Sequence, residues 1–308
     1  MLNKMINGYV ELYRSMGFKY KNQSYLLQLF AAFAKQQGDT YVRCKTVLEW
    51  AKQAPSRAQR RNRLLTVRRF SIAMQSEDKR YEIPPPDAFG NETLRRRIPR
   101  ILSSLELKQL LIAASKLKPE NSIRPLTYAT LFALLASTGL RISEALALNL
   151  ESITEDGLII LSTKFRKDRL VPLHPSTRKG IEHYLNYRRQ IGGNALSLFV
   201  SNNGSRLSYS TVNSIFLQLV RSIGLRDGPG HPGICIHDLR HRFAVTSLEQ
   251  SKNDRVSISQ HMTALSTYLG HAHISDTYWY LHATPTLMEK ISIIQETFYR
   301  SNINEQSR

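Results

Sequence analysis

Cysteine is nearly absent: the 308 residues hold two, Cys44 and Cys235. They stand far apart and in no Cys-x-x-Cys spacing, which argues against a disulfide framework or a zinc site and fits a reducing, cytosolic setting. Acidic residues are scarce as well, 24 against 43 Lys and Arg, for a net charge of +19 and a pI near 10.1. Such an excess calls for a polyanionic partner, and nucleic acid, an anionic membrane or a ribosomal surface would each satisfy it. Long apolar runs are missing too. The most apolar stretch, between Arg124 and Arg141, is interrupted by Pro125, Thr127, Thr130, Ser137 and Thr138. It falls short of the span of about 20 apolar residues that a membrane needs and reads as a buried helix, so no membrane partner is expected. The N-terminus has no apolar core of signal-peptide type. No carboxylate cluster is placed to hold a metal, and neither a metal nor another cofactor is expected. There is no internal repeat, and 42% hydrophobic residues is enough for a globular chain rather than a disordered one.

The length suits about two domains. Residues 1–82 read as an all-helical domain. One helix starts near Asn22-Gln-Ser24, presents Leu26, Leu29, Phe30 and Phe33 on one face, and ends at Gly38. A second covers Val42–Ala54, stopping before Pro55. A third, Ser56–Met74, carries Arg57, Arg60, Arg61, Arg63, Arg68 and Arg69 with no acidic residue among them. A solvated helix face would explain such a run, and contact with a phosphate backbone explains it better. Residues 83–101 read as an interdomain linker: Ile83-Pro-Pro-Pro-Asp87 is stiff and extended, and Arg95, Arg96, Arg97 and Arg100 follow.

Residues 102–308 form the second domain. Ser103-Ser-Leu-Glu106 is a capping-box pattern at a helix start. A buried helix over Leu126–Ala136 is broken by Gly139, and a short helix, Ser143–Leu148, follows Arg141. Asp156-Gly157 signals a turn. Leu158–Ser162 and Arg169–Leu173 read as strands joined by a basic turn. Helices are expected over Ser176–Gln190, Ser208–Ile223, His237–Gln250, His261–Leu269 and Ser275–His282. A last one, Thr286–Phe298, aligns Leu287, Ile291, Ile294 and Phe298 along one stripe.

Chemistry concentrates in this second part. In order come Thr138-Gly-Leu-Arg141-Ile-Ser-Glu144, Thr163-Lys164-Phe-Arg166-Lys167-Asp168-Arg169, His237-Asp-Leu-Arg240-His241, Leu269-Gly-His271 and Tyr280-Leu-His282. Two arginines, a lysine, two histidines and a tyrosine suit attack on a phosphodiester. Guanidinium forks clamp phosphate oxygens with paired hydrogen bonds, and a tyrosine hydroxyl serves as nucleophile once its surroundings activate it. Bland alternatives stand beside each. Arg141 could be spent on a salt bridge to Glu144, His271 could cap a helix end, and the basic turn could be merely solvated. Tyr278 rivals Tyr280 and His273 rivals His271. On a helix, positions two apart face differently, so Tyr278 and Tyr280 cannot both meet one phosphate in the same geometry.

The ordered set resembles the tyrosine recombinases, or phage integrase family, over roughly residues 100 to 290. The resemblance implies a mainly α chain with a small antiparallel β-sheet: an N-terminal helical, SAM-like DNA-binding domain, then an α+β catalytic domain. Arg141 and Arg240 would clamp the scissile phosphate, with Glu144 orienting Arg141. The family's hairpin lysine stands five positions before the arginine of an Arg-x-Val-Pro-Leu strand, and here that spacing from Arg169 selects Lys164 over Arg166 and Lys167 as general acid. His237 either accepts the nucleophile's proton or hydrogen-bonds the phosphate. His271 bonds a phosphate oxygen, and Tyr280, nine positions after His271, is the nucleophile. His241 resembles a common family residue and is read as structural. Arg57, Arg60, Arg61, Arg63, Arg68, Arg69, Arg95, Arg96, Arg97, Arg166 and Lys167 would touch DNA. By resemblance the partners are double-stranded DNA recombination sites, held by a C-shaped clamp in a homo-tetramer, with accessory recombinases or directionality factors as further partners. The C-terminal helix would dock on a neighbouring protomer or pack on its own domain. The location would be cytoplasmic, nucleoid-associated when on DNA. The layout is nearest the simple two-domain recombinases. A type IB topoisomerase-like enzyme, a catalytically idle DNA-binding accessory protein and a basic RNA-binding protein stay open as other readings.

Overall fold

Charge-poor faces at helical spacing build both halves of the molecule. The computed structural model describes residues 2–90, 100–161, 168–190, 195–228, 233–250, 255–271 and 273–282, with 288, 289, 292 and 293 beyond them. The chain divides into two compact units, Met1–Arg97 and Ile98–Arg308.

Among the described residues the first unit holds four helices: α1 (Leu2–Ser15), α2 (Lys21–Gln36), α3 (Cys44–Lys52) and α4 (Arg57–Gln75). Helix α1 was not singled out in the sequence, yet Leu2, Ile6, Tyr9 and Val10 recur at helical spacing and all four are buried. Ile6, Leu27, Phe30, Val47, Leu64, Val67 and Phe70 close the core. Helix α2 begins before the expected Asn22–Ser24 cap. Its N-cap is Tyr20, in a left-handed conformation at φ 43°, with no side-chain cap. The Tyr20 ring stacks on Tyr13 at 4.6 Å, so packing replaces the capping hydrogen bond. Ser56 does cap α4, accepting from the Gln59 amide. Part of the expected linker packs on this unit. Ala88 and Phe89 lie against its core, and Arg68 donates to the Pro84 carbonyl at 2.7 Å.

In the second unit α5 (Ser104–Ser115) opens with the expected capping box. The Glu106 amide donates to Ser103 Oγ, and the Ser103 amide donates to the Glu106 carboxylate. Helix α6 (Arg124–Thr138) packs against α5, α8 (Pro175–Gln190) and α10 (Asp238–Glu249). Phe132 on α6 meets Phe216 on α9 (Tyr209–Ser222) edge-on at 5.5 Å. After α7 (Ile142–Ala147), the strands β1 (Leu158–Ile160) and β2 (Arg169–Val171) pair antiparallel, Leu158 opposite Val171 and Ile160 opposite Arg169. Both are shorter than expected, and Pro172, which has no amide hydrogen for a ladder, follows β2 at once. Helix α11 (Arg255–Leu269) starts six residues before the expected His261. The short α12 (Ser275–Tyr278) runs into a 3-10 turn, Trp279–His282. A small second core joins Ala244, Val245 and Leu248 of α10 to Met262, Leu265 and Leu269 of α11, with Tyr280 among them. The expected last helix, Thr286–Phe298, lies outside the described residues apart from 288, 289, 292 and 293.

Gly139 ends α6 at φ 61°, and a Cβ placed there would lie 2.5 Å from the ring of Phe243. Both the backbone conformation and the space require glycine. Gly139→Ala is expected to cost about 1–3 kcal/mol, measured as the urea unfolding midpoint of the second unit.

Candidate active site

Arg240 stands on the first turn of α10 and is 2% exposed. A guanidinium so deeply placed needs partners, and it finds them in main chain. It donates to the carbonyls of Gly139 at 2.6 Å and Leu269 at 2.7 Å. These carbonyls end α6 and α11, where unpaired C=O groups carry the negative end of the helix dipole. Burial, and then the neighbouring Arg141, bring its pKa down to about 10. The group is still charged at neutral pH.

Arg141 is the N-cap of α7 and donates to the Gly270 carbonyl at 3.0 Å and to Glu144 at 2.9 Å. The salt bridge weighed against a clamping role is therefore present. It does not exhaust the group, because a guanidinium has five N–H donors and this side chain stays 25% exposed. Glu144 also takes a two-pronged contact from Arg169 on β2, at 2.7 and 3.2 Å, and accepts from the Arg141 amide. Burial pushes the Glu144 carboxyl up, but the hydrogen bonds from Arg169 and from the Arg141 backbone outweigh it, and the net shift is downward. In the sequence Arg169 shows itself only as the spacing mark for Lys164. Its bond to Glu144 spans 25 residues, and no local pattern signals it.

Gly270, at φ 64°, turns the chain out of α11 into His271. The Nδ1 of the His271 ring lies 2.7 Å from the hydroxyl of Thr277, which is fully buried. His273 is exposed. Tyr280 is 3% exposed and its ring stacks on that of His271 at 6.2 Å. Tyr278, its rival, is 46% exposed. His241, which the sequence left as a structural residue, has its Nδ1 3.1 Å from the Tyr280 hydroxyl. His237, N-cap of α10, meets His241 edge-on at 4.5 Å. Arg141, Arg240, Glu144, His237, His271 and Tyr280 thus come together in the second unit. Arg169, His241 and Thr277 join them and were not among the expected site residues. Lys164, Arg166 and Lys167 fall outside the described residues, as do Arg95, Arg96 and Arg97.

The arginines of α4 separate by environment. Arg63 donates to the Trp50 carbonyl at 2.9 Å and lies over that ring, and Arg68 is tied to Pro84, so both hold the first unit together. Arg60 lies over Phe89. Arg57, Arg61 and Arg69 are exposed, and Arg57, Arg60 and Arg61 line a cleft of about 230 Å³ with Pro86 and Phe89. Among the described residues no group of three His, Cys, Asp or Glu could hold a metal ion, and no helix is long and apolar enough to cross a membrane.

Chemically, three guanidinium groups near one carboxylate leave an excess of positive charge beside a buried phenol and three imidazoles. That arrangement suits a phosphodiester and a phenolate. Comparison with known proteins agrees in kind. The profile of the phage integrase family matches residues 100–286. A Sinorhizobium fredii protein, y4rB, described as a candidate integrase/recombinase, is 38% identical over 296 residues, covering 92% of this chain and 94% of the relative. The tyrosine recombinase XerD of Caulobacter vibrioides is 31% identical over 233 residues, covering 73% of this chain and 70% of the relative. The Tn1549 transposon integrase, solved with a circular intermediate DNA, superposes with a TM-score of 0.67 at 17% identity, covering 96% of this chain and 99% of that one.

Proposed function

The chain belongs to the phage integrase family, and from that premise we propose that it carries out site-specific DNA recombination with Tyr280 as nucleophile. The observation that carries the assignment is the seat of Tyr280: buried, bonded to His241, stacked on His271 and within electrostatic reach of Arg240. Tyr280 Oη attacks the scissile phosphorus, forming a 3′-phosphotyrosyl bond and releasing a 5′ hydroxyl. Arg141 and Arg240 hold the non-bridging oxygens and offset the charge that builds on them. Each is set by partners it keeps throughout, Glu144 and three main-chain carbonyls, so little reorganisation accompanies the reaction. His271, oriented by Thr277, adds a hydrogen bond to the phosphate. Lys164 protonates the departing 5′ oxygen; an amine with an ordinary pKa of about 10.4 holds that proton at neutral pH. The phosphotyrosyl bond conserves the energy of the broken phosphodiester. A 5′ hydroxyl from the partner strand then reverses the attack and rejoins the DNA without a nucleotide cofactor.

The active assembly is a homo-tetramer on two duplex sites, with the segment 286–298 docking on a neighbouring protomer and accessory recombinases or directionality factors biasing the outcome. Arg57, Arg61 and Arg69 contact the phosphate backbone, and Arg95, Arg96, Arg97, Arg166 and Lys167 are further DNA contacts. Replacing Arg57, Arg61 and Arg69 by Ala together is expected to weaken binding to all duplexes alike. It should also flatten the slope of log affinity against log salt by about 0.9 for each phosphate no longer neutralised, read by fluorescence anisotropy across a salt series.

Covalent capture tests the reading. Nicked duplexes drawn from the DNA flanking the gene are incubated with the protein and chelator and without ATP, then run on a denaturing gel. A protein–DNA adduct supports the assignment. Intact DNA binding with no adduct on any duplex, alone or with an added partner recombinase, overturns it in favour of an accessory DNA-binding role.

A further inference from the structure

We propose that His241 is the general base that takes the hydroxyl proton of Tyr280. The inference rests on the reading of Tyr280 as nucleophile and assigns the one proton transfer which that reading leaves without a named acceptor. His237 was open to two roles, base or phosphate ligand, and the geometry favours a different imidazole for the first. His241 lies one turn further along α10 and brings Nδ1 to 3.1 Å from Tyr280 Oη, within the range expected of a base and the proton it removes. Three rings hold it there. His237 meets it edge-on at 4.5 Å, Trp279 at 5.4 Å and Tyr280 itself at 5.5 Å. Among the described residues, His237 from its own helix and Tyr280 from the turn after α12 are titratable groups that meet it.

The chemistry balances. In the resting state neutral His241 carries its proton on Nε2 and accepts at Nδ1 from the Tyr280 hydroxyl. A phenol near 10 and an imidazole near 6.5 differ by about 3.5 units, so the proton cannot leave far ahead of attack. It moves to Nδ1 as the Oη–P bond forms and the P–O5′ bond breaks, while Lys164 gives a proton to the 5′ oxygen. In rejoining, the neutral Lys164 amine takes the proton of the incoming 5′ hydroxyl as the P–O5′ bond forms, and the His241 imidazolium returns its proton to Tyr280 as the Oη–P bond breaks. His237 is then left for the phosphate. His241 is thereby a catalytic residue, since it touches the reacting atom.

The test uses the full-length protein, the nicked duplexes described above, and matching duplexes with sulfur in place of the bridging 5′ oxygen. His241→Ala is expected to slow adduct formation by about 10²-fold or more, with added imidazole restoring part of the rate. His241→Asn keeps a hydrogen-bonding atom near the Nδ1 position but takes up no proton. It is expected to keep wild-type DNA affinity and lose the rate as His241→Ala does, which separates a proton acceptor from a packing residue. Sulfur leaves without protonation, so it should rescue Lys164→Ala and leave the His241 variants slow. Wild-type rates in His241→Asn, or rescue of the His241 variants by the sulfur substrate, overturn this inference alone. Absence of any adduct with the wild-type protein overturns the nucleophile assignment, and this inference falls with it.

Discussion

Tyr280→Phe is expected to bind nicked duplex with unchanged affinity and to give no detectable covalent adduct, whereas Tyr278→Phe gives the adduct at close to the wild-type rate. The denaturing gel that detects the adduct and an anisotropy titration of the same proteins check both halves. The contrast follows from burial. Tyr280 is 3% exposed, with its hydroxyl bonded to His241, and Tyr278, two residues earlier, is 46% exposed. Removing the Tyr280 hydroxyl takes one partner from His241, which costs about 1–2 kcal/mol, far too little to unfold a domain of this size. The absence of adduct therefore reports chemistry and not folding. At Tyr278 the substitution is a surface change, expected to stay within about 0.5 kcal/mol. Loss of the adduct in Tyr278→Phe alone would move the nucleophile by two residues and undo the roles given to His241 and His271.

Glu144→Ala is expected to lower the stability of the second unit by about 3–5 kcal/mol, because it strips a buried carboxylate from two arginines at once. Glu144 is 8% exposed in its side chain and Arg169 13%, so solvent does little to replace the missing partner. Urea unfolding followed by circular dichroism measures the change, and a loss under about 1 kcal/mol would mean that the arginines find other partners. Protonation probes the same ion pairs. The folded Glu144 carboxyl titrates below its ordinary range, and an unfolded Glu titrates near about 4.3. Its contribution is therefore complete above about pH 4.3 and is lost as pH falls through the lower folded value. Glu144→Gln should show a shallower fall in unfolding midpoint over that acid window than the wild type, starting from a lower midpoint at neutral pH.

Features encoded within a few residues were legible in the chain. The Ser103–Glu106 capping box and the break at Gly139 each depend on near neighbours. The basic triad Arg141, Arg240 and His271 and the choice of Tyr280 over Tyr278 rested on family order and spacing, and all four residues meet in one place. What stayed hidden was set at long range. Arg169 reaches Glu144 across 25 residues and His241 reaches Tyr280 across 39, and neither separation has a period that one sequence displays. Thr277 is closer to His271, six positions on, but a threonine in a short helix ordinarily signals a cap or nothing. Helix α1 is hard to read from the chain because its apolar positions are diluted by Asn and Lys, and their burial comes from α2 and α4, not from the segment itself.

Arg141 and Arg240 are secured by different sets of partners, and this bears on how the protein can change over generations. Arg141 and Arg169 share one carboxylate, so a single codon change at Glu144 takes a partner from both, while Arg141 keeps its bond to the Gly270 carbonyl. Arg240 leans on the carbonyls of residues 139 and 269, which every amino acid supplies. No replacement of a partner side chain can withdraw them; only a change in the path of the backbone can. A saturation library should therefore be intolerant at Glu144 and at Gly139, and permissive at Leu269 toward other apolar residues of similar volume. The setting of Arg141 is inherited in part as a side chain, and that of Arg240 as the course of the chain.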